Sequence, residues 1–81
     1  MVYERIRNLR EDADLTQNTI SEYLNISQRS YSHFENGTRG LPIEVVVKLA
    51  DYYNISVDYL LNRTDHKEPY PKRFSTYQNN V

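Results

Sequence analysis

The sequence predicts an all-α protein of five short helices, and two patterns carry this prediction. An apolar residue, a threonine or serine, three further residues and a second apolar residue recur three times along the 81 residues. In such a segment the hydroxyl group can cap the start of a helix, and the two apolar residues can pack together across its first turn. A fourth segment has apolar residues at helical spacing, and no strand pattern competes with these helices.

The first three helices follow from one apolar stripe and two caps. The first has Val2, Ile6 and Leu9 on one side among charged residues, as in an amphipathic helix. Thr16 and Ser27 precede the second and third helices as caps. The expected ranges of these three helices are residues 2–12, 17–24 and 28–36.

Two more helices complete the expected fold. The fourth should start near Pro42, because proline suits the first helical turn, and the fifth follows the cap Ser56. Gly37 and Asn54 suit left-handed conformations at the ends of the third and fourth helices. Asn25 suits the same conformation in the turn before the third helix. The apolar stripe of the fourth helix consists of Val46, Leu49, Ala50 and Tyr53.

Composition excludes several classes of protein. The chain has no cysteine, which rules out disulfides and thiolate metal sites. No apolar run approaches the about 20 residues of a membrane span, and the first ten residues lack the apolar stretch of a signal peptide. We therefore expect a cytoplasmic protein with one modest core and no cofactor. The net charge of −1 argues against a generally basic nucleic-acid binder, so any such role must rest on local arrangement.

The polar face of the predicted third helix contains no carboxylate. At about 100° per residue, Tyr31 and Phe34 fall on one side of this helix. Arginine can bond guanine through two hydrogen bonds and glutamine can do the same with adenine, while serine and histidine can bond either kind of partner. The face therefore suits base edges in the major groove, and the alternative is an ordinary solvated surface. Its residues are Gln28, Arg29, Ser32, His33 and Asn36.

Two stretches of the chain resemble the phage repressor and Cro-like (XRE-type) family. Residues 15–37, LTQNTISEYLNISQRSYSHFENG, resemble its helix-turn-helix, and residues 41–61, LPIEVVVKLADYYNISVDYLL, are similar to the two helices that follow. Three positions depart from the family pattern. Ser21 stands where the family usually has alanine, Asn25 where it often has glycine, and Thr38 where lysine is common.

The resemblance implies a five-helix repressor-like DNA-binding domain over residues 1–63. Residues 64–81 would form a tail that is either flexible or packed in a dimer. The implied function is sequence-specific binding of double-stranded DNA as a transcriptional regulator, a repressor by preference, in a bacterial or phage-host cell. One recognition helix reads few base pairs, so a homodimer on a palindromic operator with half-sites about 34 Å apart is expected.

Individual residues receive roles within this interpretation. Gln17, at the start of the second helix, is expected to contact a phosphate, because free N–H groups there favour an anion. The resemblance implies that Arg10 and Glu35 form a structural ion pair between the first and third helices. The residues predicted to contact base edges are Gln28, Arg29, Ser32 and His33. The other predicted phosphate contacts are Asn36, Thr38 and Arg39, although simple solvation also explains Arg39.

Two other functions compete with DNA binding. A protein-binding module, such as an antitoxin or anti-repressor, would use the same helical face, and the low positive charge favours it somewhat. An enzyme is not expected, since His33 and Glu35 are two residues apart on a helix and point in different directions. The acidic cluster of Glu11, Asp12 and Asp14 suits a solvated helix end, not a metal site. Candidate dimer contacts are Ile55, Val57, Tyr59 and Leu61 near the fifth helix, or the tail aromatics Tyr70, Phe74 and Tyr77.

Overall fold

Five helices surround one core in the computed structural model, which describes residues 3–71. They are α1 (Glu4–Asp12), α2 (Gln17–Leu24), α3 (Gln28–Asn36), α4 (Ile43–Tyr53) and α5 (Val57–Leu60). This part of the chain contains no strand, and the predicted all-α class is confirmed. The predicted ranges of α2 and α3 are confirmed as well.

The start of α1 differs from the prediction. The helix begins at Glu4, after Tyr3 in an extended conformation, and not near Val2, which lies outside the described residues. Tyr3 makes no side-chain capping hydrogen bond. The stripe of apolar residues alone therefore overestimated the length of the helix, because it contains no signal for the position at which the backbone turns helical.

Three hydroxyl side chains cap helices as predicted. The side chains of Thr16, Ser27 and Ser56 each accept a hydrogen bond from the backbone N–H three residues further along. Each bond satisfies one of the amide groups that the first turn of a helix leaves without an intrahelical partner. The donors are Thr19 at 3.1 Å, Ser30 at 3.1 Å and Tyr59 at 3.0 Å.

A left-handed residue makes the short turn between α2 and α3 possible. Asn25 has φ 59° and ψ 43°, and the N–H of Ile26 donates to the carbonyl of Ser21 at 3.0 Å. Asparagine adopts this conformation more readily than most residues. Gly37 at φ 78° and Asn54 at φ 56° end α3 and α4 in the same way, so all three predicted left-handed positions are confirmed.

The core receives side chains from every helix, and this fixes which side of α3 faces outward. Tyr31 and Phe34 are buried, with Tyr31 completely removed from solvent. The opposite side of α3 is therefore left at the surface. The remaining core residues are Ile6, Ile20, Leu24, Val45, Val46, Leu49, Ala50, Ile55 and Leu60.

Residues beyond the predicted domain boundary at 63 contact the helices. The backbone N–H of Ser56 donates to the carbonyl of Lys67 at 2.9 Å, next to the start of α5. The guanidinium of Arg5 donates to the carbonyls of Tyr59 and Thr64. Residues 64–67 are thus held against α1 and the start of α5 by hydrogen bonds to their backbone carbonyls.

These contacts bear on the candidate dimer residues. Ile55 is buried in the core and offers no surface to a partner, so the prediction that it contacts a second copy is wrong. The ring of Tyr59 is covered by the Arg5 guanidinium, whose central carbon lies 3.9 Å from the ring centroid. Tyr70 is exposed and donates to a carboxylate oxygen of Asp58 at 2.7 Å. Two further candidates lie outside the described residues: Phe74 and Tyr77.

None of the helices within residues 3–71 combines the length and the apolar character needed to cross a lipid bilayer.

Candidate nucleic-acid interface

The outward face of α3 borders an open depression of about 560 Å³. All four predicted base-contacting residues line it, together with two of the four predicted phosphate contacts. The side chains thus converge from two helices, because α2 contributes one of them and α3 the rest. The lining residues are Gln17, Gln28, Arg29, Ser32, His33 and Asn36.

Several of these polar groups have no partner inside the protein. The side chains of Gln28 and Arg29 are exposed, and neither forms a hydrogen bond or ion pair with any residue between 3 and 71. A guanidinium without an internal carboxylate keeps all its donors for an external acceptor. Arg29 and Gln28 are therefore available at the amino-terminal end of α3.

His33 is oriented by the loop that follows α3. Its ring Nδ1 lies 2.8 Å from the hydroxyl of Thr38, and that hydroxyl lies 3.3 Å from the backbone carbonyl of His33. If the hydroxyl donates to the carbonyl, it accepts from Nδ1–H, and the neutral ring then keeps Nε2 as an acceptor. Thr38 does not line the depression itself. Its hydroxyl orients the ring of His33, which does.

Asn36 stands at the end of the same face. Its amide nitrogen donates to the hydroxyl of Ser32 at 3.4 Å, and its amide oxygen accepts from Arg7 at 3.3 Å. Arg39 is exposed in the loop beyond and has no side-chain partner within the described part of the chain. The structure thus brings Asn36 to the depression, whereas Arg39 lies outside it.

Arg10 and Glu35 form a buried ion pair between α1 and α3. The Arg10 guanidinium donates to both carboxylate oxygens, from Nε at 2.8 Å and from Nη2 at 2.9 Å. The Glu35 side chain is fully buried, and that of Arg10 is 13% exposed. Nη1 of Arg10 also donates to the carbonyl of Leu15 at 2.8 Å. This two-pronged geometry fixes the relative position of α1, α3 and the loop before α2.

The same carboxylate binds Gln17. Nε2 of Gln17 donates to Oε1 of Glu35 at 3.1 Å. The buried carboxylate therefore holds the Gln17 amide in place, and Gln17 also lines the depression. This bond braces the start of α2 against α3 and leaves the amide oxygen and the second N–H without an intrachain partner between residues 3 and 71.

The hydrogen bonds to Glu35 keep its carboxylate charged. Burial alone would raise the pKa of Glu35, but hydrogen bonds, of which the Arg10 bond is the strongest, lower this pKa to about 2. Through the same bond Glu35 raises the pKa of Arg10. Burial and the neighbouring Glu35 carboxylate also raise the pKa of the Tyr31 hydroxyl.

Arg7 is a functional candidate that the sequence analysis missed. Its Nε lies 3.3 Å from Oε1 of Glu35, and its Nη2 donates to Asn36 at 3.3 Å. Arg7 precedes Arg10 by three residues, so the two share one face of α1. That spacing was the signal in the sequence that could have found it.

The candidate acid–base residues have separate partners. Glu35 is buried against Arg10, whereas His33 contacts Thr38 at the surface. Within residues 3–71, no group of three or more histidine or acidic side chains is placed to hold a metal ion.

Two helices joined by three residues, with the second presenting an exposed polar face, define a helix-turn-helix domain. A family described as "Helix-turn-helix domain" matches residues 3–66, and this chain belongs to that family. The resemblance to the phage repressor and Cro-like (XRE-type) family is confirmed.

Curated relatives are similar over most of the chain. An uncharacterized HTH-type transcriptional regulator of Bacillus subtilis, YobD, is 36% identical over 73 residues, 90% of this chain and 65% of that protein. The cryptic phage CTXphi transcriptional repressor RstR of Vibrio cholerae is 36% identical over 80 residues, 95% of this chain and 70% of that protein. The chain thus spans about two thirds of the length of each of these relatives.

A third relative is an antitoxin. The antitoxin PezA of Streptococcus pneumoniae is 34% identical over 56 residues, which are 69% of this chain and 35% of that protein. A segment similar to this chain is therefore also found in an antitoxin.

Proposed function

We propose that this chain binds double-stranded DNA sequence-specifically, with α3 in the major groove. It acts as a transcriptional regulator in this proposal, and more specifically as a repressor. The observation that carries the proposal is that the side chains of Gln28 and Arg29, which line the depression, have no partner within residues 3–71. The carboxylate of α3, Glu35, is buried and paired with Arg10. Arginine and glutamine at this end of a recognition helix are the residues that meet guanine and adenine edges. RstR is named a transcriptional repressor, which supports the repressor role.

Ser32 and His33 would extend base reading along α3. An Nε2 acceptor on His33 suits an amino group on adenine or cytosine, and the Ser32 hydroxyl suits either partner. Gln17, Asn36, Thr38 and Arg39 remain proposed phosphate contacts. Of these, Arg39 is the only one with a full charge to offer.

The proposed complex is a homodimer on a palindromic operator in the cytoplasm, where the DNA is. A single α3 has about two turns of exposed face and reads only a few base pairs, so a second copy supplies the rest of the site. Half-sites would then be separated by about 34 Å, one turn of the duplex.

Selection of bound duplexes from a random pool, followed by footprinting, tests the proposal. We expect enrichment of one motif with two-fold symmetry and protection of two half-sites one helical turn apart. The rival function is a protein-binding module, which the antitoxin name of PezA favours. Absence of a gel shift with random duplex at about 50 mM salt would contradict DNA binding and favour this rival, because even specific binders bind random DNA at low salt.

A further inference from the structure

A cleft of about 430 Å³ lies between α1 and the end of α3, next to the depression. It is lined by Glu4, Arg7, Asn8, Glu35 and Asn36. Asn36 lines both concavities, so the cleft on α1 adjoins the depression on the outer face of α3 at this residue.

The buried carboxylate at this cleft has two arginine neighbours. Glu35 contributes one negative charge and Arg7 and Arg10 contribute two positive charges, while the exposed carboxylate of Glu4 balances the sum of the four side chains. Arg10 neutralises Glu35 through two bonds of 2.8 and 2.9 Å, whereas the closest approach of Arg7 is 3.3 Å. Arg7 therefore supplies positive charge beyond what the buried carboxylate requires.

Arg7 is also accessible and held in place. Its side chain is 51% exposed, compared with 13% for Arg10. Contacts to Glu35 and Asn36 hold the guanidinium at the edge of the depression while its remaining N–H groups have no partner in residues 3–71. A guanidinium fixed in advance loses less side-chain entropy when it binds an anion.

We infer that Arg7 binds a phosphate of the DNA backbone and so extends the DNA-binding surface onto α1. This inference rests on the proposed function, because DNA supplies the phosphate once α3 lies in the groove. Contacts of this kind set the register of a protein on the duplex without reading its sequence. The exposed carboxylate of Glu4 lines the same cleft and opposes such a phosphate.

The salt dependence of DNA binding tests the inference. Arg7→Ala and Arg7→Gln remove the charge, and Arg7→Gln keeps an amide that can donate to Glu35. In both variants the slope of log affinity against log salt should become shallower by about 0.9 per bound protomer, equally for specific and random duplexes. Arg63→Ala is the matched control, because Arg63 is 74% exposed and its carboxylate partner, Asp58, lies outside both concavities.

Each outcome has a distinct meaning. A wild-type slope in both Arg7 variants, with wild-type DNA binding intact, would overturn the phosphate contact while the proposed function stood. Equal losses in Arg63→Ala would show an effect of net charge alone and would also overturn it. If the wild type itself bound no duplex at low salt, the proposed function would fail. Thermal melts of the variants separate effects on folding from effects on DNA binding. Glu4→Gln removes a carboxylate that opposes the phosphate, so it should tighten DNA binding at low salt. Weaker or unchanged binding of Glu4→Gln would contradict the inference.

Discussion

The inner side of α3 holds Glu35, whose carboxylate accepts hydrogen bonds from Arg10 and Gln17, whereas its outer side carries Arg29, which has no partner within residues 3–71. One helix thus contains a charge that is fully matched and another that is left unmatched. A buried charge requires a partner inside the protein. An exposed charge is hydrated and can bind a group of another molecule. The contrast teaches that the proposed binding surface rests on the unpaired cation and not on the overall charge of −1.

Removal of Arg10 gives the largest expected effect, because it breaks the matched side. Arg10→Ala leaves Glu35 buried with weaker partners, and loss of one member of a buried pair costs about 3–5 kcal/mol in the free energy of unfolding. Urea unfolding of the wild type and the variant measures this loss. The exposed pair Arg63–Asp58, at 3.8 Å, is the control, and Arg63→Ala should cost less than about 1 kcal/mol. Similar losses in both variants would contradict the contrast.

Acid should weaken the same pair. The pKa of Glu35 is about 2 in the folded protein and 4.5 for an unperturbed glutamate. Because folding lowers this pKa, its contribution to stability is complete above pH 4.5 and is lost as the pH falls towards 2. The difference corresponds to about 3 kcal/mol.

The variant Glu35→Gln isolates this contribution from that of other carboxylates. It should lose the part of the pH dependence between pH 4.5 and 2 that belongs to Glu35, so its stability should fall less steeply than that of the wild type over this range. Urea unfolding at several pH values measures both curves. Parallel curves would mean that Glu35 does not titrate differently in the folded and unfolded states.

Removal of Arg29 tests the unmatched side. Arg29→Ala should weaken binding to the selected operator by about 1–3 kcal/mol, or about 5- to 150-fold, because it would remove the proposed two-bond contact to guanine. Its thermal stability should stay near that of the wild type, since the side chain has no partner within residues 3–71. Quantitative gel shifts with operator and random duplex measure the change. Unchanged affinity for both duplexes would remove Arg29 from the base-reading set.

The capped helix starts and the left-handed helix ends could be predicted because they depend on local chemistry, whereas the start of α1 at Glu4, which has no side-chain cap, could not. Thr16 and Ser27 cap within three residues, and Asn25 turns the backbone by its own left-handed conformation. For Arg7 the sequence indicates only the face of α1 that it shares with Arg10, because its contact with Asn36 joins residues that are 29 positions apart. Such a contact depends on how α1 packs against α3, and helical periodicity gives only the face on which a residue lies.

The same limit explains the segment after residue 63. Two prolines and the absence of periodicity in the sequence indicated a tail. In the structure, the Ser56 backbone N–H donates to Lys67 and its hydroxyl donates to His66. Carbonyls are present in every residue, so a segment that binds through them leaves no mark in the pattern of side chains.

Arg39 should give the smallest effect. It lies in the loop after α3, exposed and without a side-chain partner among residues 3–71. A phosphate contact predicts that Arg39→Ala makes the salt slope shallower by about 0.9 per protomer while the preferred sequence stays the same. Arg29→Ala should instead reduce the preference for the operator over random duplex, because it removes a base contact. Salt titrations of both variants therefore separate positioning from reading, and an Arg39→Ala protein with the wild-type slope would show that this cation is simply solvated.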